Sequence, residues 1–278
     1  MRAAKKEDVE KIELDLFLDA IYQRHGYDFR NYARASIRRR VHHILDKSGC
    51  ARISEMVPRV LYDEAFALSV IYDFSITVTE MFRDPEIYLS IRKNVVPYLK
   101  TYPFIRVWHA GCATGEEVYS LAILLQEEDL YDRATIFATD FNEAALEKAK
   151  EGIYSLDDIR QYTLNYQRAG GTHSFADYYH AQYASAIMNQ SLKSNITFAN
   201  HNLVTDGVFG EMHLIFCRNV LIYFDKTLQS RVLGLLTDSL NFGGFLCLGS
   251  KETLQFSDVA ERFKVIDERG KIYQKRTL

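Results

Sequence analysis

The sequence predicts an α/β protein: a mostly parallel sheet with helices on both faces, preceded by an all-helical region and interrupted by one small β-rich insertion. Three observations carry that expectation. Apolar residues recur at helical spacing over the first eighty or so positions. After about residue 103, short apolar runs alternate with helical ones, which is the grammar of a parallel sheet with crossover helices. Between 160 and 195, a Tyr-rich stretch with a Gly-Gly turn breaks the alternation. The final stretch, FKVIDERGKIYQKR, reads as a hairpin around Arg269 and Gly270 and adds an antiparallel edge strand.

The elements follow in order. VEKIELDLFLDAIYQRHG brings Val9, Ile12, Leu16 and Ile21 together at helical spacing and stops at Gly26. FRNYARASIRRRVHHILDKSG gives a second helix with Tyr32, Ile37, Val41, Ile44 and Leu45 as the buried stripe and Gly49 as its C-cap. ISEMVPRVLYDEAFALSVIYDF continues helical, with a break or a helix start at Pro58. FIRVWHA, ATIFATD, NITFANHNL, MHLIFCRN and GGFLCLGS read as strands. GEEVYSLAILLQEE, NEAALEKAKEG and KTLQSRVLGLLTDSL read as the helices between them, and Gly152 ends the second. The resulting division is a helical domain over 1–85 and a sheet domain over 86–278, with the insertion at about 160–195.

Composition narrows the function classes. With 47% hydrophobic and 26% charged residues in 278, the chain is globular rather than disordered. A net charge of −3 argues against a general nucleic-acid binder. No apolar run is long enough to span a membrane. The N-terminal MRAAKKEDVEKIELDLF is charged and lacks the apolar stretch of a signal peptide, so a cytoplasmic location is expected. Cys50, Cys112, Cys217 and Cys247 are scattered and read as free thiols. No His/Cys cluster has ligand spacing and no metal is expected, since the adjacent His42 and His43 diverge on a helix.

The stretch HAGCATGEEVYSLA, residues 109–122, poses the chemical question. A small-residue turn between a strand and a helix usually cradles a phosphate on backbone N–H groups. Here Glu116 and Glu117 stand at its mouth, and each would repel a phosphate by about 1 kcal/mol at 4 Å in water, more when partly buried. The Lys-Ser/Thr pair of a Walker turn is missing. A cationic ligand without phosphate suits the turn better, and S-adenosylmethionine is one. Asp140, 29 positions after Gly111 at the end of the next strand, is placed to accept hydrogen bonds from ribose hydroxyls. On Asp140 alone NAD stays open, and the two glutamates alone are explained by the helix dipole.

Five segments resemble a known family. TVTEMFRDPEIY (77–88), AGCATGEEVYSLA (110–122), FATDFNEAALEKAKEGIY (137–154), IFCRNVLIYFD (215–225) and YDFRNYARASIRRRV (27–41) are similar to bacterial chemotaxis-receptor glutamate methyltransferases of the CheR type. They occur in the family's order and cover nearly the whole chain. The resemblance implies a class I S-adenosylmethionine-dependent methyltransferase domain, Rossmann-like, with an N-terminal all-α domain and an inserted β-subdomain. It implies methyl transfer to receptor glutamate side chains, with S-adenosylhomocysteine as the product. Carried over by position, Thr77, Thr79, Arg83, Glu117, Asp140, Asn202, Leu203, Asn219 and Val220 fall on cofactor contacts, with Glu116 beside them. Thr77 and Met81 depart from the asparagine and phenylalanine common in the family.

A substrate glutamate is already anionic at neutral pH, so transfer needs alignment rather than a general base. Arg83 is the candidate for orienting a carboxylate, and Tyr223 for a hydrogen bond beside the methyl group. The bland alternatives are an Arg83 ion pair with Asp84 or Glu86, a core role for Tyr223, and turn chemistry for Asn202 and Asn219. Arg30, Arg34 and Arg38, four apart on the helix at 30–45, offer a basic face to an acidic receptor bundle. The expected partner is the cytoplasmic domain of methyl-accepting chemotaxis receptors, through that helix and the inserted β-subdomain, with the enzyme a monomer and no nucleic acid bound. The rival functions are a methyltransferase acting on RNA or a small molecule, and a non-catalytic cofactor-binding module.

Overall fold

The computed structural model describes residues 6–276; the first five residues of the charged N-terminal stretch lie outside the described residues. The chain forms two compact units: one runs up to Ile76 and takes in Ile222–Gln229, the other comprises Thr77–Leu221 and Ser230 onward.

The first unit holds α1 (Lys6–His25), α2 (Arg34–Ser48), α3 (Ile53–Tyr62) and α4 (Glu64–Phe74). On α1 the buried residues are Leu14, Phe17, Leu18 and Ile21, a stripe at i, i+3, i+4, i+7 that packs on α3. The expected stripe is therefore corrected: Ile21 is inside, but Val9, Ile12 and Leu16 are 46%, 55% and 57% exposed. Two apolar stripes compete on this helix, and the one carrying the bulky Phe17 faces the core. On α2, Ile37, Val41 and Ile44 are buried as their spacing predicts, and Gly49 caps the helix in the left-handed region. Pro58 neither breaks nor starts a helix; it sits inside α3, where its ring costs one bond to the carbonyl of the preceding turn.

The arginines of the basic face, Arg30 in the turn before α2 and Arg34 and Arg38 on α2, pair with neighbouring carboxylates. Arg30 pairs with Asp19 (3.2 Å) and Asp28 (2.9 Å), Arg34 with Asp15 (2.5 Å) and Arg38 with Glu10 (2.7 Å). Their four-residue spacing thus matches a row of carboxylates on the neighbouring helix. The charge of the basic face is thus partly compensated within the unit, while Arg34 and Arg38 stay more than half exposed.

The second unit begins with α5 (Pro85–Asn94) and α6 (Val96–Leu99). Then follow β1 (Ile105–Ala110), α7 (Glu116–Glu127), β2 (Ala134–Asp140), α8 (Glu143–Glu151), β3 (Ile153–Ser155) and α9 (Leu156–Arg168). The remainder is β4 (Tyr179–Gln182), β5 (Ser185–Met188), α10 (Gln190–Lys193), β6 (Ile196–Asn200), β7 (Met212–Cys217), α11 (Lys226–Asp238), β8 (Leu240–Leu248), β9 (Phe263–Asp267) and β10 (Ile272–Lys275). The main sheet has the order β6-β2-β1-β7-β8-β10-β9, with parallel pairing from β6 to β8. Consecutive residues Val107–Ala110 and Leu214–Cys217 are buried, so both faces of the central strands are covered. This order, with a single antiparallel strand next to the last position, is that of class I methyltransferases. The antiparallel strand is β10, paired on both sides; it lies inside β9 rather than at the edge. A hairpin signal shows that two strands pair, but not which of them meets the sheet.

The insertion differs from the expected β-rich stretch. Residues up to Arg168 continue α9, whose polar and apolar residues alternate at helical spacing, and the small sheet β3-β5-β4 recruits β3 from before the stretch. Glu127 at the end of α7 fastens this region. Its buried carboxylate accepts hydrogen bonds from the hydroxyls of Tyr166 (2.5 Å) and Tyr178 (3.0 Å) and from Thr172 N–H (2.9 Å), and it pairs with Arg92. Burial pushes its pKa up, but these donors outweigh burial and hold it down at about 2. Among the described residues no helix is long and apolar enough to cross a membrane, and no group of three or more His, Cys, Asp or Glu could hold a metal ion. All four cysteines are free; only Cys50 is partly exposed.

Candidate functional site

The chain runs from β1 to β2 on one side of the sheet, while β7 flanks β1 on the other. The carboxyl ends of β1 and β7 therefore form a topological switch point, where open α/β sheets bind ligands. The turn from 111 to 115 leaves β1 here. Gly111 has φ +74°, and a Cβ on it would stand 2.6 Å from Val220 Cγ2; Gly115 has φ +90°, and a Cβ there would meet Ala149 Cβ at 2.8 Å. Both positions therefore require glycine.

Four of the five backbone donors of this turn are spent inside the protein. Gly111 N–H and Cys112 N–H both donate to the carbonyl of Thr139, at 2.8 and 2.9 Å. Ala113 N–H donates to Asp140 Oδ2 (2.9 Å), and Gly115 N–H to the carbonyl of Cys112 (3.0 Å). A pyrophosphate would find none of these four amides free, so the turn offers it at most the N–H of Thr114.

The carboxylates around the turn have different environments. Asp140, 8% exposed, ends β2 and also accepts Asn142 N–H on Oδ1 (2.9 Å). The Phe141 backbone N–H is a further donor to this carboxylate, which stands at the strand end where a ribose would lie. Burial raises its pKa against the opposing pull of these amides. Glu116 is buried in the first turn of α7 and accepts the Thr114 hydroxyl at 2.7 Å; burial is the main reason its pKa is pushed up to about 7. Thr114 Oγ1 also lies 3.4 Å from the carbonyl of Thr77, which places Thr77 beside the turn. Thr79 lies on the same partly buried, irregular segment.

Glu117 is not a bare charge. Its carboxylate pairs with Arg218, whose side chain is wholly buried and whose other arm reaches Asp84 at 2.6 Å. Burial pushes the Glu117 pKa up and the Arg218 guanidinium draws it back. The acidic mouth is thus partly neutralised from behind, while Glu116, Asp140 and Asp84 keep the surroundings acidic. Asp84 takes Arg218 as its partner, so the alternative Arg83–Asp84 pair does not form. Among the described residues the Arg83 side chain makes no hydrogen bond or ion pair, and it is half-buried.

Asn219 and Val220 follow β7. Asn219 has φ +59°, its N–H donates to Glu252 (3.0 Å), and its Oδ1 is buried without a partner among the described residues. An orphaned carbonyl oxygen beside acidic groups calls for a donor from a ligand, such as an ammonium. Glu252 also accepts Leu221 N–H (2.7 Å) and Gly249 N–H (2.6 Å), so a single buried carboxylate holds this turn. After β6, Leu203 is buried, and Asn202 Oδ1 accepts Val204 N–H (3.0 Å). Asn202 therefore uses one lone pair of its Oδ1 in its own turn, as the bland alternative expects, and keeps the other and its amide NH2.

Tyr223 follows Val220 by three residues. It belongs to Ile222–Gln229, which clusters with the helical unit, and its carbonyl accepts Ala33 N–H at 2.8 Å. Arg218 and Glu252 were not singled out in the sequence. Arg218 lies within the motif IFCRN, and a charge directly after a buried strand was the available signal; Glu252 had none.

The donor set fits S-adenosylmethionine: a strand-end carboxylate for ribose, an orphan carbonyl and acidic groups for the cationic end, and no amide cradle for phosphate. Two family models match the chain, "CheR methyltransferase, SAM binding domain" over 77–272 and "CheR methyltransferase, all-alpha domain" over 12–75. The chain is 51% identical to the Pseudomonas putida protein Cher3, over 95% of this chain and 97% of that one. It is 29% identical to a chemotaxis protein methyltransferase of Listeria innocua, over 89% and 92% of the two chains. It is 34% identical to one of Escherichia coli, over 57% and 54%.

Proposed function

Because this chain belongs to the CheR methyltransferase family and binds S-adenosylmethionine as its cofactor, we propose that it transfers a methyl group to glutamate side chains of chemoreceptor cytoplasmic domains. Support for the substrate comes from relatives named chemotaxis protein methyltransferases. Support for the pocket comes above all from one observation: four of the five turn amides are consumed within the protein, and the Asp140 carboxylate stands at the adjoining strand end.

When bound, the cofactor supplies a methyl group activated by a sulfonium. The protein's own residues have to hold and aim. Asp140 takes the ribose hydroxyls, Asn219 Oδ1 accepts from the amino group, and Val220 and Leu203 line apolar surface. Thr77, Thr79, Glu116 and Glu117 complete the surround. Arg83, whose side chain makes no hydrogen bond or ion pair among the described residues, orients the carboxylate of the incoming glutamate. That carboxylate is ionised at neutral pH, so no side chain has to remove a proton. Tyr223 is assigned a supporting hydrogen bond near the acceptor.

Incubation with methyl-labelled cofactor and receptor cytoplasmic fragments tests the substrate. Base-labile label on receptor glutamates is expected. Label on RNA, or no label on any receptor fragment, contradicts the proposal.

A further inference from the structure

Arg218 lies behind the pocket and has no solvent-exposed side-chain surface. A guanidinium so placed must be matched on most of its donors. Its Nη1 donates to Glu117 Oε1 and to the carbonyl of Arg83 (3.1 Å), and its Nη2 donates to Asp84 Oδ2 (2.6 Å). Two of these three acceptors belong to the turn that carries Arg83.

That turn is held in an unusual shape. Phe82 and Asp84, on either side of Arg83, both have φ +52°, a region that side chains other than glycine rarely occupy. Such a conformation persists only when its surroundings over-determine it. Here Phe82 N–H donates to Ser120 Oγ (2.8 Å), Asn165 Nδ2 donates to the carbonyl of Met81 (3.0 Å), and Arg218 closes the far side. The Phe82 ring is fully buried against Tyr88 and Tyr166, with centroids 5.1 and 5.2 Å away. Everything around Arg83 is pinned, while its own guanidinium makes no hydrogen bond or ion pair among the described residues and acts on Glu117 only through its charge.

Resting on the role given to Arg83 above, we propose that Arg218 is a positioning residue for methyl transfer: its guanidinium latches the left-handed 82–84 turn to Glu117 and so aims Arg83 at the reacting carboxylate. One planar fork spanning three acceptors suits this task. A lysine there keeps the charge but cannot bridge Glu117, the Arg83 carbonyl and Asp84 together.

The test combines Arg218→Lys and Asp84→Asn with Arg83→Ala, reading kcat, KM for receptor fragment and affinity for S-adenosylhomocysteine. Asp84→Asn guards against misfolding: Asp84 is 39% exposed in its side chain, and asparagine tolerates the left-handed backbone. Each latch variant should lower kcat about tenfold or more and leave product affinity within about threefold. In the Arg83→Ala background the same substitutions should cause little further loss, because the latch acts through Arg83. If Arg83→Ala lowers kcat but the latch variants lower it by the same factor in both backgrounds, or not at all in the wild type, the positioning role is wrong and Arg83 keeps its own. An Arg83→Ala enzyme with undiminished kcat overturns the role of Arg83, and the latch with it.

Discussion

Asp140 and Glu116 show how burial sets the charge of the pocket. Both carboxyls are driven towards neutrality by desolvation, and a cationic ligand restores the value of their ionised forms. For Glu116 the folded pKa of about 7 lies above the unfolded 4.5. Its contribution to stability is therefore fully present below about pH 4.5 and is lost as pH rises through 7. Glu116→Gln should flatten the decline in thermal stability between pH 5 and pH 8, checked by calorimetric unfolding of the ligand-free protein; an unchanged slope contradicts the assignment. The chemistry of Glu116, Glu117 and Asp140 was legible because all three sit at fixed offsets around one turn. The partner of Glu117 was not. Arg218 lies 101 residues away, and a lone arginine after a strand resembles any solvated charge until the fold brings its carboxylates around it.

At the scale of elements, α2 teaches the same lesson with opposite outcome. Its arginine spacing was visible, but a charged stripe says nothing about what faces it. Glu10, Asp15 and Asp19 on α1 provide the answer. These pairs are half-exposed, so each is worth at most about 1 kcal/mol. Arg38→Glu should lower the thermal midpoint by facing Glu10 with a like charge, and Glu10→Arg added to it should restore most of the loss. A midpoint indifferent to both changes would remove the interhelix pairing from the account. The strands and helices of the sheet unit were readable because their periodicity is local: β1, α7, β2, α8, β7, α11 and β8 fall on the runs that announced them. What escaped was pairing. The place of β10 inside β9, and the recruitment of β3 to the small sheet, are set by contacts between distant segments that leave no local periodic trace.

At the scale of the molecule, the sheet order creates one switch point, and the site residues of the second unit converge on it from four separate strand ends and the 77–84 segment. The proposed pocket spends four of its five turn amides internally and gathers the carboxylates of Glu116, Glu117 and Asp140 around them. Calorimetric titration with S-adenosylhomocysteine and with NADH, on the wild type and on Asp140→Ala, tests this most directly. The account predicts one-to-one binding of the first ligand, weakened by about 1–3 kcal/mol in the variant as its hydroxyls lose their acceptor, and no binding of the second. Binding of NADH, or an affinity for S-adenosylhomocysteine that Asp140→Ala leaves unchanged, would contradict it.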